Sequence, residues 1–128
     1  PTAGLDPRER IRLKNILGQL AKNKIIIIST HIISDMENLA NKIILLKNGE
    51  IIACKEPNDL IEEVKKYFYQ TTIDAEKLKD FKTNQITHIQ PLTSGYKIKF
   101  ISNTLESCQS CNDITLEDVY LYYYGNDD

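Results

Sequence analysis

The chain has 128 residues, 16 Lys and Arg against 18 Asp and Glu, and 41% hydrophobic residues with no Trp. That profile is the one of a soluble globular protein and excludes collagen-like, low-complexity and membrane-spanning classes. A formal net charge of −2 argues against a general nucleic-acid binder, whose phosphate contacts demand a basic surplus. The longest apolar run, Ile25 to Ile28, is far too short to cross a bilayer, and Pro1–Asp6 has neither the basic nor the apolar stretch of a leader. Cys54, Cys108 and Cys111 are odd in number and unremarkable in spacing, so a disulfide framework is not expected and a reducing cytosol is the default.

Composition changes near Glu56–Pro57. Up to Glu56 the balance is nine basic to six acidic residues with no aromatic; from Pro57 it is seven to twelve, and all ten aromatics lie there. The two stretches read as pieces of different cores, which divides the chain into residues 1–56 and 57–128.

In the first stretch Asp6-Pro7-Arg8-Glu9 offers an Asp N-cap, a Pro at the first helical position and a Glu three residues past the cap, so a helix begins there. Leu13, Ile16, Leu17 and Leu20 follow at i, i+3, i+4 and i+7, a stripe that covers something apolar. Ile25–Ile28 is β-branched without polar alternation, the mark of a strand buried on both faces of a parallel sheet, with Ser29-Thr30-His31 at its carboxyl end. Ser34-Asp35-Met36-Glu37 is a capping box, and Met36, Leu39, Ala40 and Ile43 keep helical spacing behind it. Ile43–Leu46, the Lys47-Asn48-Gly49-Glu50 turn and Ile51–Ala53 form a hairpin, because Asn-Gly supplies the positive φ angles of a type I′ turn.

The second stretch reads as a small α+β module. Pro57–Tyr67 is a helix with Leu60, Ile61 and Val64 on one face. Phe68–Ile73 is a strand whose buried face the alternation leaves open. Asp74 caps a short helix carrying Leu78 and Phe81. Ile86–Leu92 and Tyr96–Ile101 flank Thr93-Ser94-Gly95 as a hairpin. Thr104–Cys111 is expected to be a short helix, and Thr115 caps a last one. Leu116, Val119, Tyr120 and Tyr123 lie at helical spacing, predicting contact with Tyr96, Ile98 and Phe100. This β-α-β-β-α order is ferredoxin-like and truncated.

The motifs of residues 1 to about 65 resemble, in order and spacing, the closing segment of the ATP-binding subunit of ABC transporters. Pro1-Thr2-Ala3-Gly4-Leu5-Asp6-Pro7 is the wording that follows that family's acidic pair. Ile27-Ile28-Ser29-Thr30-His31 is similar to its switch strand, and the Asn-Gly hairpin followed by a Pro-led helix fits its ending. The tail Thr115-Leu116-Glu117-Asp118-Val119-Tyr120-Leu121, with Gly125 beyond, is similar to tails of bacterial exporter-type subunits.

The resemblance implies an α/β fold: the C-terminal remnant of a P-loop NTPase layered domain of ABC type, followed by the ferredoxin-like accessory domain. It assigns Ala3, Gly4, Leu5 and Asp6 to the loop that crosses a dimer interface near nucleotide, and His31 to a switch that contacts the γ-phosphate and the attacking water. It implies ATP and Mg2+ as cofactors of the full-length subunit. The partners it implies are a second ATP-binding subunit, identical or not, and a transmembrane permease subunit, with a place on the cytoplasmic face of the cell membrane; no nucleic-acid partner is expected.

The family's Gly-x-x-x-x-Gly-Lys-Ser/Thr cradle, Gln loop, Ser-Gly-Gly signature and acidic pair do not occur in these 128 residues. The expectation is a fragment that neither binds nor hydrolyses ATP on its own, with hydrolysis coupled to export only in the whole subunit. The competing reading is a stand-alone, non-catalytic regulatory or dimerisation module. ABC-type ATPases of DNA repair or translation fit less well, because they lack the exporter-like tail.

Plainer readings stand beside each motif. Asp6 is first of all a helix cap. A lone histidine at a strand end is more often structural than a phosphate sensor. Cys108-x-x-Cys111 lacks the second pair that a closed tetrahedral metal site requires, and His88 is too isolated to complete it, so no metal site is expected. The Tyr120–Tyr124 cluster is a core feature with polar tips rather than a base-stacking platform, since Glu117, Asp118, Asp127 and Asp128 would repel a phosphate backbone.

Overall fold

The computed structural model describes residues 6–30, 33, 39–82, 85–104 and 106–125. Helix α1 (Pro7–Leu20) begins as its sequence dictates: Asp6 Oδ1 accepts the N–H of Arg8 at 2.8 Å and of Glu9 at 3.0 Å, and Pro7 occupies a position where a missing N–H costs nothing. None of its residues is buried, and Ile16 and Leu20 stay 49% and 44% exposed. Leu13 and Leu17 are half-buried, so the apolar stripe is only partly covered among the described residues.

The Ile25–Ile28 strand requires correction. Residues 25–30 form no strand, and Ile25 and Ile27 are 92% and 88% exposed. A strand is a pairing, and no described segment pairs with this one. The capping box at Ser34–Glu37 lies outside the described residues, and Ile43 opens a strand instead of closing the helix expected behind that box.

Strands β1 (Ile43–Lys47) and β2 (Glu50–Lys55) make the antiparallel hairpin, with Asn48 at φ 52° and Gly49 at φ 80° as a type I′ turn demands. Its register pairs Leu45 with Ala53, and these face inward; Ile44, Leu46 and Ile51 stay on the outside. Helix α2 (Pro57–Val64) follows and tightens into a 3-10 turn at Lys65–Tyr67.

The second sheet holds β3 (Phe68–Ile73), β4 (Ile86–Pro91), β5 (Tyr96–Ile101) and β6 (Gln109–Ser110) in the order β4-β5-β3-β6, every neighbouring pair antiparallel. The connection from β3 to β4 holds a 3-10 turn, Lys77–Asp80, with Glu76 at its N-cap position; the Lys77 N–H donates to Asp74 Oδ1 at 2.9 Å. Gly95, at φ 97°, turns the chain between β4 and β5; a side chain there would run into the Ile73 carbonyl. Helix α3 (Leu116–Tyr124) closes the described chain behind a reciprocal capping box of Thr115 and Asp118. The whole is a mixed α/β structure with two antiparallel sheets, and the parallel sheet of the expectation is not among them.

The expected helix over Thr104–Cys111 is replaced by a loop and β6. Ser102 Oγ accepts the Thr104 N–H and donates to Glu106, so short polar side chains satisfy the backbone locally, as they do outside helices. Gln109 and Ser110 then take the open edge of β3, and the Cys111 N–H reaches the Phe68 carbonyl at 3.1 Å.

Both faces of the four-stranded sheet are covered, which resolves the ambiguous alternation in β3. Phe68 lies opposite Ile101 and faces one cluster, formed with Ala53, Leu60, Val64, Cys111, Ile114, Leu116 and Val119. Tyr69 lies opposite Phe100 and faces the other, formed with Ile73 and Ile98 and lined by Leu78 and Phe81. The first cluster takes Ala53 from one side of the composition change and Leu60 from the other, so that change does not separate two cores. It also corrects the expected contact of the last helix: Leu116 and Val119 meet α2 and Phe68, whereas Ile98 and Phe100 point through the opposite face.

On the face of β5 toward α3, Ile101 packs against the first cluster and Lys99 makes the polar contact. Its ammonium donates to Asp118 Oδ2 at 2.8 Å and to the Asp113 carbonyl at 2.6 Å, and the side chains of this ion pair are 13% and 5% exposed. Asp118 Oδ2 also accepts from the Thr115 N–H at 3.0 Å, so one carboxylate caps α3 and neutralises the lysine beneath it.

Tyr122 stacks on Tyr67 with centroids 5.3 Å apart and meets Tyr123 edge-on. Burial first, then repulsion from the ionised forms of Tyr67 and Tyr123 and a hydrogen bond with Tyr67, raise its pKa above the ordinary 10.0. A raised acid is held neutral by the fold, so its contribution is complete below the ordinary value and is lost as pH rises from there through the folded value. The urea midpoint is expected to fall as pH rises above about 10, and to fall less in Tyr122→Phe; an identical fall in the variant would contradict this placement.

Candidate functional site

Of the residues assigned by resemblance, Ala3, Gly4, Leu5 and His31 lie outside the described residues. Asp6 is described, and one of its carboxylate oxygens is engaged by two α1 N–H groups. That geometry fixes the direction in which the chain enters α1 and leaves the acid exposed beside the helix. It is the structural role expected of this residue.

Two depressions lie elsewhere. The larger, about 630 Å³, runs between the hairpin and the start of α2 and is lined by Lys42, Lys55, Glu56, Asp59, Glu62 and Glu63, with Cys54 at its edge. Lys55 and Glu63 are ion-paired across it. The other, about 530 Å³, lies between the end of β5 and α3, lined by Ser102, Asn103, Tyr122 and Tyr123. Both are open to solvent. No group of His, Cys, Asp and Glu side chains among the described residues is arranged to hold a metal ion.

The two cysteines of Cys108-x-x-Cys111 turn to opposite faces of the sheet: Cys108 packs against the Tyr69 cluster and Cys111 is buried in the Leu60 cluster. All three cysteines are free. Sequence reading missed the buried Lys99–Asp118 pair; its one signal was an acid three residues after Thr115, legible as a cap but silent about a cation below. The Gly-x-x-x-x-Gly-Lys-Ser/Thr cradle that holds phosphates in the family resembled does not occur in these 128 residues. No helix among the described residues is long and apolar enough to cross a membrane.

Comparison with known proteins finds partial similarity. The chain is 35% identical over 65 residues to the energy-coupling factor transporter ATP-binding protein EcfA2 of Lactococcus lactis subsp. cremoris, a match covering 50% of this chain and 23% of that protein. The same protein of Enterococcus faecalis is 35% identical over 65 residues, 49% of this chain and 22% of its own. That of Staphylococcus aureus is 34% identical over 68 residues, 52% and 24% respectively. No family model matches the chain. About half of the chain is thus similar in sequence to proteins named as transporter ATP-binding proteins, and the chain covers less than a quarter of the length of these curated relatives.

Proposed function

We propose that this chain is the C-terminal part of the ATP-binding subunit of an ABC-type transporter, in which ATP binding and hydrolysis drive a membrane permease. The observation that carries the reading is a coincidence of two lines. The order Gly4-Leu5-Asp6-Pro7, Ser29-Thr30-His31 and the Asn48-Gly49 hairpin spans residues 1 to about 65. The similarity to transporter ATP-binding proteins covers a stretch of the same length.

In this reading Ala3-Gly4-Leu5-Asp6 crosses the interface to a second ATP-binding subunit, and the Asp6 cap fixes the angle at which that loop leaves α1. In the longer subunit the Ile25–Ile28 run gains the strand neighbours its composition calls for, which places His31 at the carboxyl end of a parallel strand, where open α/β sheets bind ligands. The imidazole donates to charge developing on the γ-phosphoryl group and orients the attacking water without having to be the base. ATP and Mg2+ are held chiefly by elements outside these residues.

Residues 57–128 are the accessory part. The strand order β4-β5-β3-β6 supports the ferredoxin-like reading, with its first crossover reduced to a 3-10 turn and its second to a loop. The direction of transport, export, rests on the Thr115–Leu121 tail. The subunit sits on the inner face of the membrane against its permease.

His31→Ala in the longer subunit tests the reading. A contact that strengthens in the transition state is lost in turnover, so kcat is expected to fall by about a hundredfold or more while the Kd for ATP changes by less than about threefold. Equal losses in both would remove His31 from the switch role.

A further inference from the structure

We propose that Lys47 and Tyr124 form a reciprocal strap that fastens the last helix to the hairpin, so that β1, β2 and the elements from α2 to α3 move as one body. The Lys47 ammonium, at the end of β1, donates to the carbonyl of Tyr123 at 2.9 Å. The Tyr124 hydroxyl, in the last turn of α3, donates back to the carbonyl of Leu46 at 2.6 Å. Each side chain thus closes on the other element's backbone, across 76 and 78 residues of sequence.

The exchange is chemically apt. The last turn of α3 has no basic residue of its own, although its free carbonyls concentrate negative charge. The hairpin supplies the missing cation, which also sits 5.7 Å from the centroid of the Tyr124 ring.

Packing runs in the same direction. Ala53, Ile43 and Leu45 on the inner face of the hairpin belong to the cluster of Leu60, Leu116 and Val119. Lys55 is ion-paired to Glu63 of α2. By contrast, α1 buries none of its residues. Turning the hairpin away from α3 would expose the inner face and break both strap bonds together, whereas turning α1 would uncover little. The body therefore includes the hairpin, and the composition change at residues 56–57 runs through its interior. Under the proposed function, the accessory part would then shift with the hairpin that follows His31; the strap itself does not depend on that reading.

Hydrogen exchange on the full chain tests it with two variants that keep their bulk, Tyr124→Phe and Lys47→Met. Loss of one hydrogen bond is expected to speed exchange by about three- to tenfold. Reciprocity requires the effect to cross over: Tyr124→Phe should speed the amides of residues 46–50, and Lys47→Met those of residues 122–125, with β3 and β5 unchanged as the sign of an intact fold. Effects confined to the substituted element would overturn the proposal. Limited trypsin digestion of the unaltered chain gives a second reading. Cuts after Lys22 and Lys24, exposed and outside any helix or strand, are expected well before a cut after Lys55. Early cleavage after Lys55 that releases a stable piece starting at Glu56 would overturn the strap as well.

Discussion

Asp118→Ala is expected to destabilise the chain by about 3–5 kcal/mol, the cost of stripping a buried ion pair of one partner. The substitution leaves the Lys99 ammonium in a site where its side chain is 13% exposed, with the Asp113 carbonyl as the acceptor that remains from this network. It also releases the Thr115 N–H that the carboxylate caps, adding about 1 kcal/mol. Against the 5–15 kcal/mol typical of a domain, a loss of this size removes from about a quarter to all of the stability. The double variant Lys99→Met, Asp118→Leu is expected to lose less than Asp118→Ala alone, because an apolar pair needs no hydrogen-bond partners. Urea unfolding followed by circular dichroism checks both; a loss under about 1 kcal/mol for Asp118→Ala would mean that water reaches the pair.

Leu60→Ala is expected to cost about 2–5 kcal/mol, through lost transfer free energy and the cavity left behind. Leu60 is 0% exposed and stands where α2, α3, the hairpin and Phe68 converge, so no single neighbour can collapse into its place. Ile51→Ala, at a residue 64% exposed on the outer face of the hairpin, should stay within about 0.5 kcal/mol. The pair of variants separates a core position from a merely apolar one by the shift in unfolding midpoint. Similar shifts for the two would show that Leu60 is not at the centre of the cluster.

What could be read from sequence was what short-range chemistry decides. Asp6-Pro7 gives a cap and a first turn, Asn48-Gly49 a type I′ turn, and Thr115 a helix cap; each needs three or four residues and nothing else. Longer-range outcomes escaped for identifiable reasons. Ile25–Ile28 has the composition of a buried strand, but strand formation requires a neighbour, and composition cannot provide one. Gln109–Ser110 became a strand because β3 offered an open edge, which no local pattern announces. The alternation in β5 is genuine, yet with both sheet faces covered it cannot say which face α3 takes. Lys99, which alternates with Ile98 and Phe100, is the anchor beneath Asp118. Of the candidate site, Asp6 was legible as a cap from its neighbours alone; the functional roles of Ala3, Gly4, Leu5 and His31 came from resemblance, and those four lie outside the described residues.

The central claim is that these residues close an ATP-binding subunit whose phosphate-holding elements lie upstream. Determining the coding sequence ahead of the Pro1 codon tests it most directly. The account predicts, in frame, a Gly-x-x-x-x-Gly-Lys-Ser/Thr cradle, a Ser-Gly-Gly signature and an acidic pair immediately before Pro1. A stop codon followed by a start site just ahead of Pro1 would contradict it and leave a stand-alone regulatory module.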